Sequence, residues 1–235
     1  MTATLTALRA SLAEQVAALR DDPSGGLPAP LLDITVRRVP LPGGDVFAVL
    51  PADWEALRHE EGGARRPVPY WARLWPSGRA LAQALASAPP ARGARVLELG
   101  CGLALPSVVA ARAGADVLAT DGSTDAVAFA AHNLALNELV GDVAHADWTE
   151  HGDALAARGP FDLVLAADVL YLRANVETAL RLLPRLVAPG GVIRLADPGR
   201  AGARDFLAAA RASFAITTER PGDVALHTLR RRRTR

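Results

Sequence analysis

Lysine is absent from the 235 residues of this chain, so all 26 basic side chains are arginines. Together with abundant alanine, this matches the amino-acid bias of a GC-rich bacterial genome, and it excludes self-modification at lysine. Cysteine occurs once, at Cys101, which excludes an internal disulfide framework and any multi-cysteine zinc site and fits a reducing cytoplasm. The five histidines are scattered, with no spacing that argues for a metal. No apolar run approaches the roughly eighteen residues that crossing a bilayer requires. The amino terminus "MTATLTALRASLAEQVAALRDD" has neither the compact apolar core nor the small-residue cleavage site of a secretory signal, and its Glu14, Asp21 and Asp22 are foreign to transit peptides. Formal charge is only +1, which gives no global reason to expect nucleic acid or an anionic membrane as partner.

What remains is a chain with half its residues hydrophobic and 22% charged, long enough to bury a sizeable core. Leu5, Leu8, Leu12, Val16 and Leu19 recur at steps of three and four, predicting a helix with one apolar stripe that ends at "DDPSGG". "LLDITVRRVPLPGGDVFAVLP" reads as two strands around Pro42, Gly43 and Gly44, hence a hairpin. After a short helical piece, the Pro- and Arg-rich loop in "EEGGARRPVPYWARLWPSG" delivers Trp71 and Trp75 to the start of another helix. From residue 94 onward "RVLEL", "DVLAT", "DVAHA", "FDLVLAA" and "GVIRLA" alternate with helical patterns, as in a parallel sheet covered on both faces. "FAITTE" and "VALHTLRR", separated only by "RPGD", predict a closing antiparallel hairpin. The expected fold is α/β: a Rossmann-like, doubly wound sheet of seven strands, mostly parallel, with an N-terminal helix and β-hairpin extension. That extension covers 1–66 and the main domain 67–235, the two forming one compact unit.

The stretch "RVLELGCGLALPSVVAARAGADVLATD" is a strand that breaks on glycines, enters a helix and returns as a strand ending on Asp121. Gly100 and Gly102 let the backbone turn sharply against a ligand, and the amides of the following helix start favour negative charge. A dinucleotide turn requires a third glycine at position 105, where Leu105 stands before Pro106, so no pyrophosphate seat is indicated. Glu98, two residues before the first glycine, is placed to meet the ammonium group of an amino-acid moiety. Asp121 suits ribose hydroxyls in either ligand class. In "HADWTE", Asp147 can take an exocyclic adenine amine and Trp148 can stack on the base; Leu103 belongs to the same turn. These residues in this order point to S-adenosylmethionine, with S-adenosylhomocysteine as product. The plainer alternative is that Glu98 is a solvated strand end and Trp148 a core anchor.

Four motifs carry a resemblance: "YWARLWPSGRALAQAL" before the sheet, "ELGCGLA" in it, "DVLY" after the fourth parallel strand and "DPGR" after the fifth. On these the chain resembles the class I S-adenosylmethionine-dependent methyltransferases. Within them it resembles the seven-strand protein-lysine methyltransferases also called nicotinamide-methyltransferase-like, and in particular the electron transfer flavoprotein beta-subunit lysine methyltransferases. The similarity covers residues 68–200; Ser77 stands where relatives often have glycine.

The resemblance implies a protein substrate that presents a lysine, and it implies that Asp168 holds the incoming amine while Tyr171 shapes its channel. The alternative for Asp168 is a helix cap, since "YLRANVETAL" follows. Trp71 and Trp75 could cage an alkylammonium by cation–π attraction, or wall the methionyl end of the cofactor, or simply pack the loop. Asp197 and Arg200 are candidate substrate contacts, flanking Asp168 in a cleft with acidic and aromatic walls, or else a solvated turn. Cys101 has no paired histidine and reads as a small residue that fits the turn. Asn133 and Asn137 read as the polar side and end of a helix, and "RRRRTR" as a solvated tail. Methylation of a small amine or pyridine metabolite, or non-catalytic binding of adenosylmethionine for regulation, remain the competing functions.

Overall fold

A computed structural model of the chain describes residues 2–19, 31, 33–61 and 68–232. The segments read as the end of the first helix and the boundary between 66 and 67 lie outside these residues, as does the tail beyond residue 232. Helix α1 (Thr2–Leu19) and the hairpin β1 (Ile34–Val39) and β2 (Val46–Pro51) come first, then α2 (Trp54–Glu61) and a single 3-10 turn (Tyr70–Ala72). Next are α3 (Pro76–Ser87), β3 (Arg95–Leu99), α4 (Leu105–Arg112), β4 (Asp116–Asp121), α5 (Thr124–Leu136) and β5 (Asp142–His145). The chain continues through α6 (Gly152–Arg158), β6 (Phe161–Ala167), α7 (Arg173–Leu186), β7 (Val187–Asp197), α8 (Ala201–Ala210), β8 (Phe214–Glu219) and β9 (Ala225–Arg231).

Seven strands form one sheet in the order β5-β4-β3-β6-β7-β9-β8. The first five are parallel, with Val96 opposite Val117 and Leu163, and β9 joins β7 and β8 antiparallel. Alternation along each strand splits the apolar residues between two cores. Leu97, Leu99, Val164 and Ala166 face α7 and α8, whereas Val96, Leu163 and Leu165 pack with Leu81 of α3 and Val108 of α4. No helix among the described residues is long and apolar enough to cross a membrane.

The amino-terminal elements share a third core with the sheet's own helices. Leu12 and Val16 of α1 are fully buried with Leu57 of α2 and with Ala128 and Phe129 of α5. The hairpin turns through Gly43 and Gly44 as its sequence requires, and Arg112 at the end of α4 donates to the Gly44 carbonyl at 2.7 Å. Two asparagines expected to be only the polar side of a helix dock the open edge of β2. Asn133 Oδ1 accepts from Val49 N at 2.6 Å, and Asn137 bonds both the N–H and the carbonyl of Phe47. This spares an exposed edge strand its unpaired groups. Within the described part of the arginine-rich end, Arg230 and Arg231 finish β9, and Arg232 Nε donates to the Arg211 carbonyl at 2.9 Å.

Candidate active site

The order of the strands reverses between β3 and β6, and ligands of open α/β sheets bind beyond the carboxyl ends of the strands at such a point. A cleft of about 1400 Å³ opens there. Its floor is the glycine turn after β3. Gly100, Gly102 and Ala104 all have left-handed backbone, at φ 62, 52 and 56. A Cβ on Gly100 would stand 2.9 Å from Val169 Cγ1, and one on Gly102 would stand 3.1 Å from the Trp71 carbonyl, so both positions require glycine. Nothing in the residue type marks Ala104 as left-handed; the turn's tight entry into α4 imposes it. Leu105, where a dinucleotide turn has glycine, is buried at the start of α4.

Asp121 ties the two βα turns together. Its Oδ2 accepts from Gly102 N at 2.8 Å and its Oδ1 from Ser123 N at 2.9 Å. Burial pushes this carboxyl above the ordinary range, while the two amides pull it back. Glu98 is only 1% exposed, not a solvated strand end. Its Oε2 accepts from the Ser107 amide at 3.0 Å and from the Ser107 hydroxyl, and burial raises the carboxyl to about 8. Ser107 was not legible as a partner. Its hydroxyl lies in the first turn of α4, where a reader looking for ligands sees only helix.

Asp147, Trp148 and Leu103 reach the same half of the cleft. Asp147 Oδ1 accepts from the amide and hydroxyl of Thr149, at 2.8 and 2.6 Å. Trp148 is 7% exposed and packs with Leu118 and Leu155, so the core-anchor reading describes most of its surface. The Leu103 carbonyl is held by Asn133 Nδ2 at 2.9 Å. Cys101 is buried, and burial followed by the nearby Asp121 and Glu98 charges drives its thiol upward, which suits packing and not attack. Among the described residues no cluster of His, Cys, Asp or Glu could hold a metal ion.

At the far wall, Asp168 follows β6 with left-handed backbone, φ 58, its N–H bonded to the Ala196 carbonyl at 2.8 Å. It caps no helix: α7 begins at Arg173 with Leu172 as its N-cap. The carboxylate instead pairs bidentately with Arg200, to Nε at 2.5 Å and Nη2 at 3.0 Å. Asp197 lies beneath, 1% exposed and away from the cleft wall, and its Oδ1 accepts from the amides of Gly199 and Arg200. Its expected contact with substrate gives way to turn-building, because a carboxylate buried under two amides shapes the "DPGR" loop that presents Arg200.

In the aromatic wall both tryptophans pack against the chain's own residues. The Trp71 ring packs on Phe129 at 5.0 Å between centroids. Trp75 caps α3, donates its indole N–H to the Tyr70 carbonyl and meets Trp54 edge to face. Arg73 lies over both Trp75 and Trp54, at 5.0 and 5.7 Å, so the chain's own guanidinium takes the cation position. Sequence reasoning also missed Tyr70, which meets Tyr171 at 5.8 Å; both rings are about half exposed at the mouth. Burial, then the Asp121 charge, raises the Tyr171 phenol. The walls are therefore aromatic and of mixed charge, with Arg73, Arg79 and Arg200 lining the cleft alongside the carboxylates.

Comparison with known proteins adds to this geometry. The sequence pattern of the lysine methyltransferase family matches residues 70–209. The electron transfer flavoprotein beta subunit lysine methyltransferase of Xenopus laevis is 35% identical over 136 residues, 57% of this chain and 54% of that protein. The ubiquinone biosynthesis O-methyltransferase of Caulobacter sp. (strain K31) is 32% identical over 133 residues, 57% of this chain and 52% of that one. The chain thus spans about half the length of the curated relatives it matches. Among solved structures, the T. thermophilus 16S rRNA N2 G1207 methyltransferase, in complex with AdoMet and guanosine, superposes with a TM-score of 0.64. At 20% identity, over 89% of this chain and 53% of the other, that likeness concerns the fold.

Proposed function

The chain belongs to the lysine methyltransferase family, and on that premise we propose that it transfers a methyl group from S-adenosylmethionine to the side-chain amine of lysine in a protein. The observation that carries this reading is the pairing, in one cleft, of a buried carboxyl beside a glycine turn, Glu98, with a second carboxylate at the opposite strand end, Asp168. The first suits the ammonium of an amino-acid moiety; the second suits an incoming amine.

The residues present fit this cofactor. Glu98 would take its ammonium group, and Asp121, while holding the Gly102 amide, would accept from its ribose hydroxyls. Asp147 accepts from the exocyclic adenine amine, while Leu103 and Trp148 flank the base. Once bound, the cofactor supplies an electrophilic methyl group on a sulfonium centre. The chain's own task is then to bring up the nucleophile, orient it and exclude competing water, which can provide much of the acceleration. Asp168 accepts a hydrogen bond from the amine, and the half-exposed Tyr70 and Tyr171 wall the path by which its methylene stem enters. Trp75, at the start of α3, closes the methionyl end, and Trp71 backs the glycine turn.

Among the relatives, the beta-subunit lysine methyltransferase makes the electron transfer flavoprotein beta subunit the specific candidate substrate. The single, buried cysteine suits a cytoplasmic setting. Incubating the chain with bacterial lysate and methyl-labelled S-adenosylmethionine tests the reading. The expected result is label in protein, on lysine. Label confined to the small-molecule fraction would replace the proposal with a metabolite methyltransferase, the direction in which the O-methyltransferase relative points.

A further inference from the structure

Asp168 and Arg200 come from different strand ends, yet their side chains are joined by a two-pronged ion pair, and both backbones are fixed for it. Asp168 adopts the left-handed conformation, which aspartate enters more readily than most side chains, and Asp197 Oδ1 holds the Arg200 amide at 2.7 Å. The Asp168 side chain is 12% exposed and that of Arg200 42%. An ionised carboxyl offers about four acceptor sites, and Arg200 uses one on each oxygen, so one on each remains. We propose that Arg200 is a positioning residue that sets the charge form of the acceptor. By cancelling the Asp168 charge while leaving it free to accept hydrogen bonds, it admits the amine as a neutral nucleophile and not as an ammonium ion. The inference rests on the amine-methylating reading above and specifies the form of substrate that the site takes.

The surroundings are of mixed sign: Arg200, on the turn after β7, pairs with Asp168, the Tyr171 and Tyr70 phenols stand at the mouth, and two further carboxylates lie near, Asp197 acting on Arg200 and Asp121 on Tyr171. Arg73 and Arg79 stand further along the wall. Among the described residues Arg200 is the cation paired with Asp168. Without it, an unpaired carboxylate would hold an ammonium and raise the pH at which the amine frees its lone pair by about one to three units. A lysine amine titrates near 10.4 to begin with, so such a shift removes most of an already small reactive fraction. In the transfer the nitrogen lone pair forms the new N–C bond as the S–C bond breaks, its electron pair remaining on sulfur. Positive charge passes from sulfur to nitrogen without a proton moving. The methylated ammonium then lies beside a neutralised carboxylate that does not retain it, and its proton leaves to water.

Saturation-transfer NMR with n-butylamine on the cofactor-free chain reads the bound charge form without requiring turnover. In the unaltered chain the signal should rise with pH as neutral amine appears. In Arg200→Gln it should already be strong near about pH 7, roughly threefold or more above the unaltered chain. Arg200→Lys keeps the charge but not the fork, and should return most of the way to the unaltered profile. The same three chains are then compared in labelled transfer to lysate protein, where Arg200→Gln should move the rising limb of the pH profile up by about one unit or more. Superimposable butylamine profiles, absence of transfer to the probe in all three chains, or lower labelling without a shifted limb would overturn the assignment. Lysate protein left unlabelled by the unaltered chain, with butylamine behaving as expected, would remove the protein-lysine reading and leave the role of Arg200 standing.

Discussion

The backbone N–H of Gly102 donates to Asp121 Oδ2 at 2.8 Å, so the carboxylate that ends β4 also holds the glycine turn that ends β3. One side chain thereby ties the turn and, in the proposed function, accepts from the ribose. Asp121→Ala should weaken binding of S-adenosylhomocysteine by about 1.5–3 kcal/mol, the range for losing hydrogen bonds to a charged group. Asp121→Asn, which keeps one acceptor oxygen, should lose less. Calorimetry decides; equal affinity in all three chains would place the ribose elsewhere.

Glu98 makes both stability and binding depend on pH. Its carboxyl titrates near 4.5 when unfolded and is raised to about 8 by burial in the folded chain. Between these values the folded state binds more protons, so stability falls as pH rises from about 4.5 to about 8 and levels off above. Glu98→Gln removes that slope, and its amide oxygen can still accept from Ser107. The difference in Tm between the two chains should therefore change sign or narrow steadily across this window in favour of the variant. Binding of an ammonium-bearing cofactor favours the ionised form, so it should release protons near neutral pH in the unaltered chain and fewer in the variant. Buffer-dependent calorimetric heats measure this, and proton release equal in both would dissociate Glu98 from the ligand.

The strands were legible because parallel β-strands buried on both faces are short apolar runs, and "RVLEL" and "FDLVLAA" stand between glycines and charges that end them. Gly100 and Gly102 were legible because a turn packed this closely against Val169 and the Trp71 carbonyl leaves no room for a Cβ. What pairs through space was not. Ser107 under Glu98 and Arg73 over Trp54 join residues whose partners are set by strand order and helix packing, which no local spacing encodes, and Arg200, expected to flank Asp168, binds it as an ion pair. Asp197 misled for a related reason: beside Gly and Arg an aspartate looks solvated, but at the end of a central strand it is buried and turns its oxygen to the backbone.

Helix α1 should contribute to the stability of the whole fold, because Leu12 is fully buried in the core it shares with Phe129 of α5. Leu12→Ala is expected to cost about 2–5 kcal/mol in urea unfolding, the range for emptying a buried leucine site. A loss below about 0.5 kcal/mol would class α1 with peripheral surface elements.

Asp168→Asn separates holding the amine from holding the cofactor. The substitution preserves shape and one carbonyl acceptor, and it removes the charge that Arg200 pairs with. Since Arg200 is well exposed, solvent screens the loss, and folding stability should change little. The cofactor half of the cleft is built on Glu98, Gly102 and Asp121, whose bonds do not pass through Asp168. Affinity for S-adenosylhomocysteine should therefore stay within about twofold, while methyl transfer to lysate protein falls by roughly tenfold or more. The direction follows from electrostatics: an unpaired guanidinium then faces the incoming amine with one acceptor fewer to orient it, and a misaligned nucleophile loses rate without losing the ligand behind it. Parallel losses in cofactor affinity and transfer would instead mean that Asp168 chiefly supports the loop between β6 and α7, and the amine would have to be held by another group in the cleft.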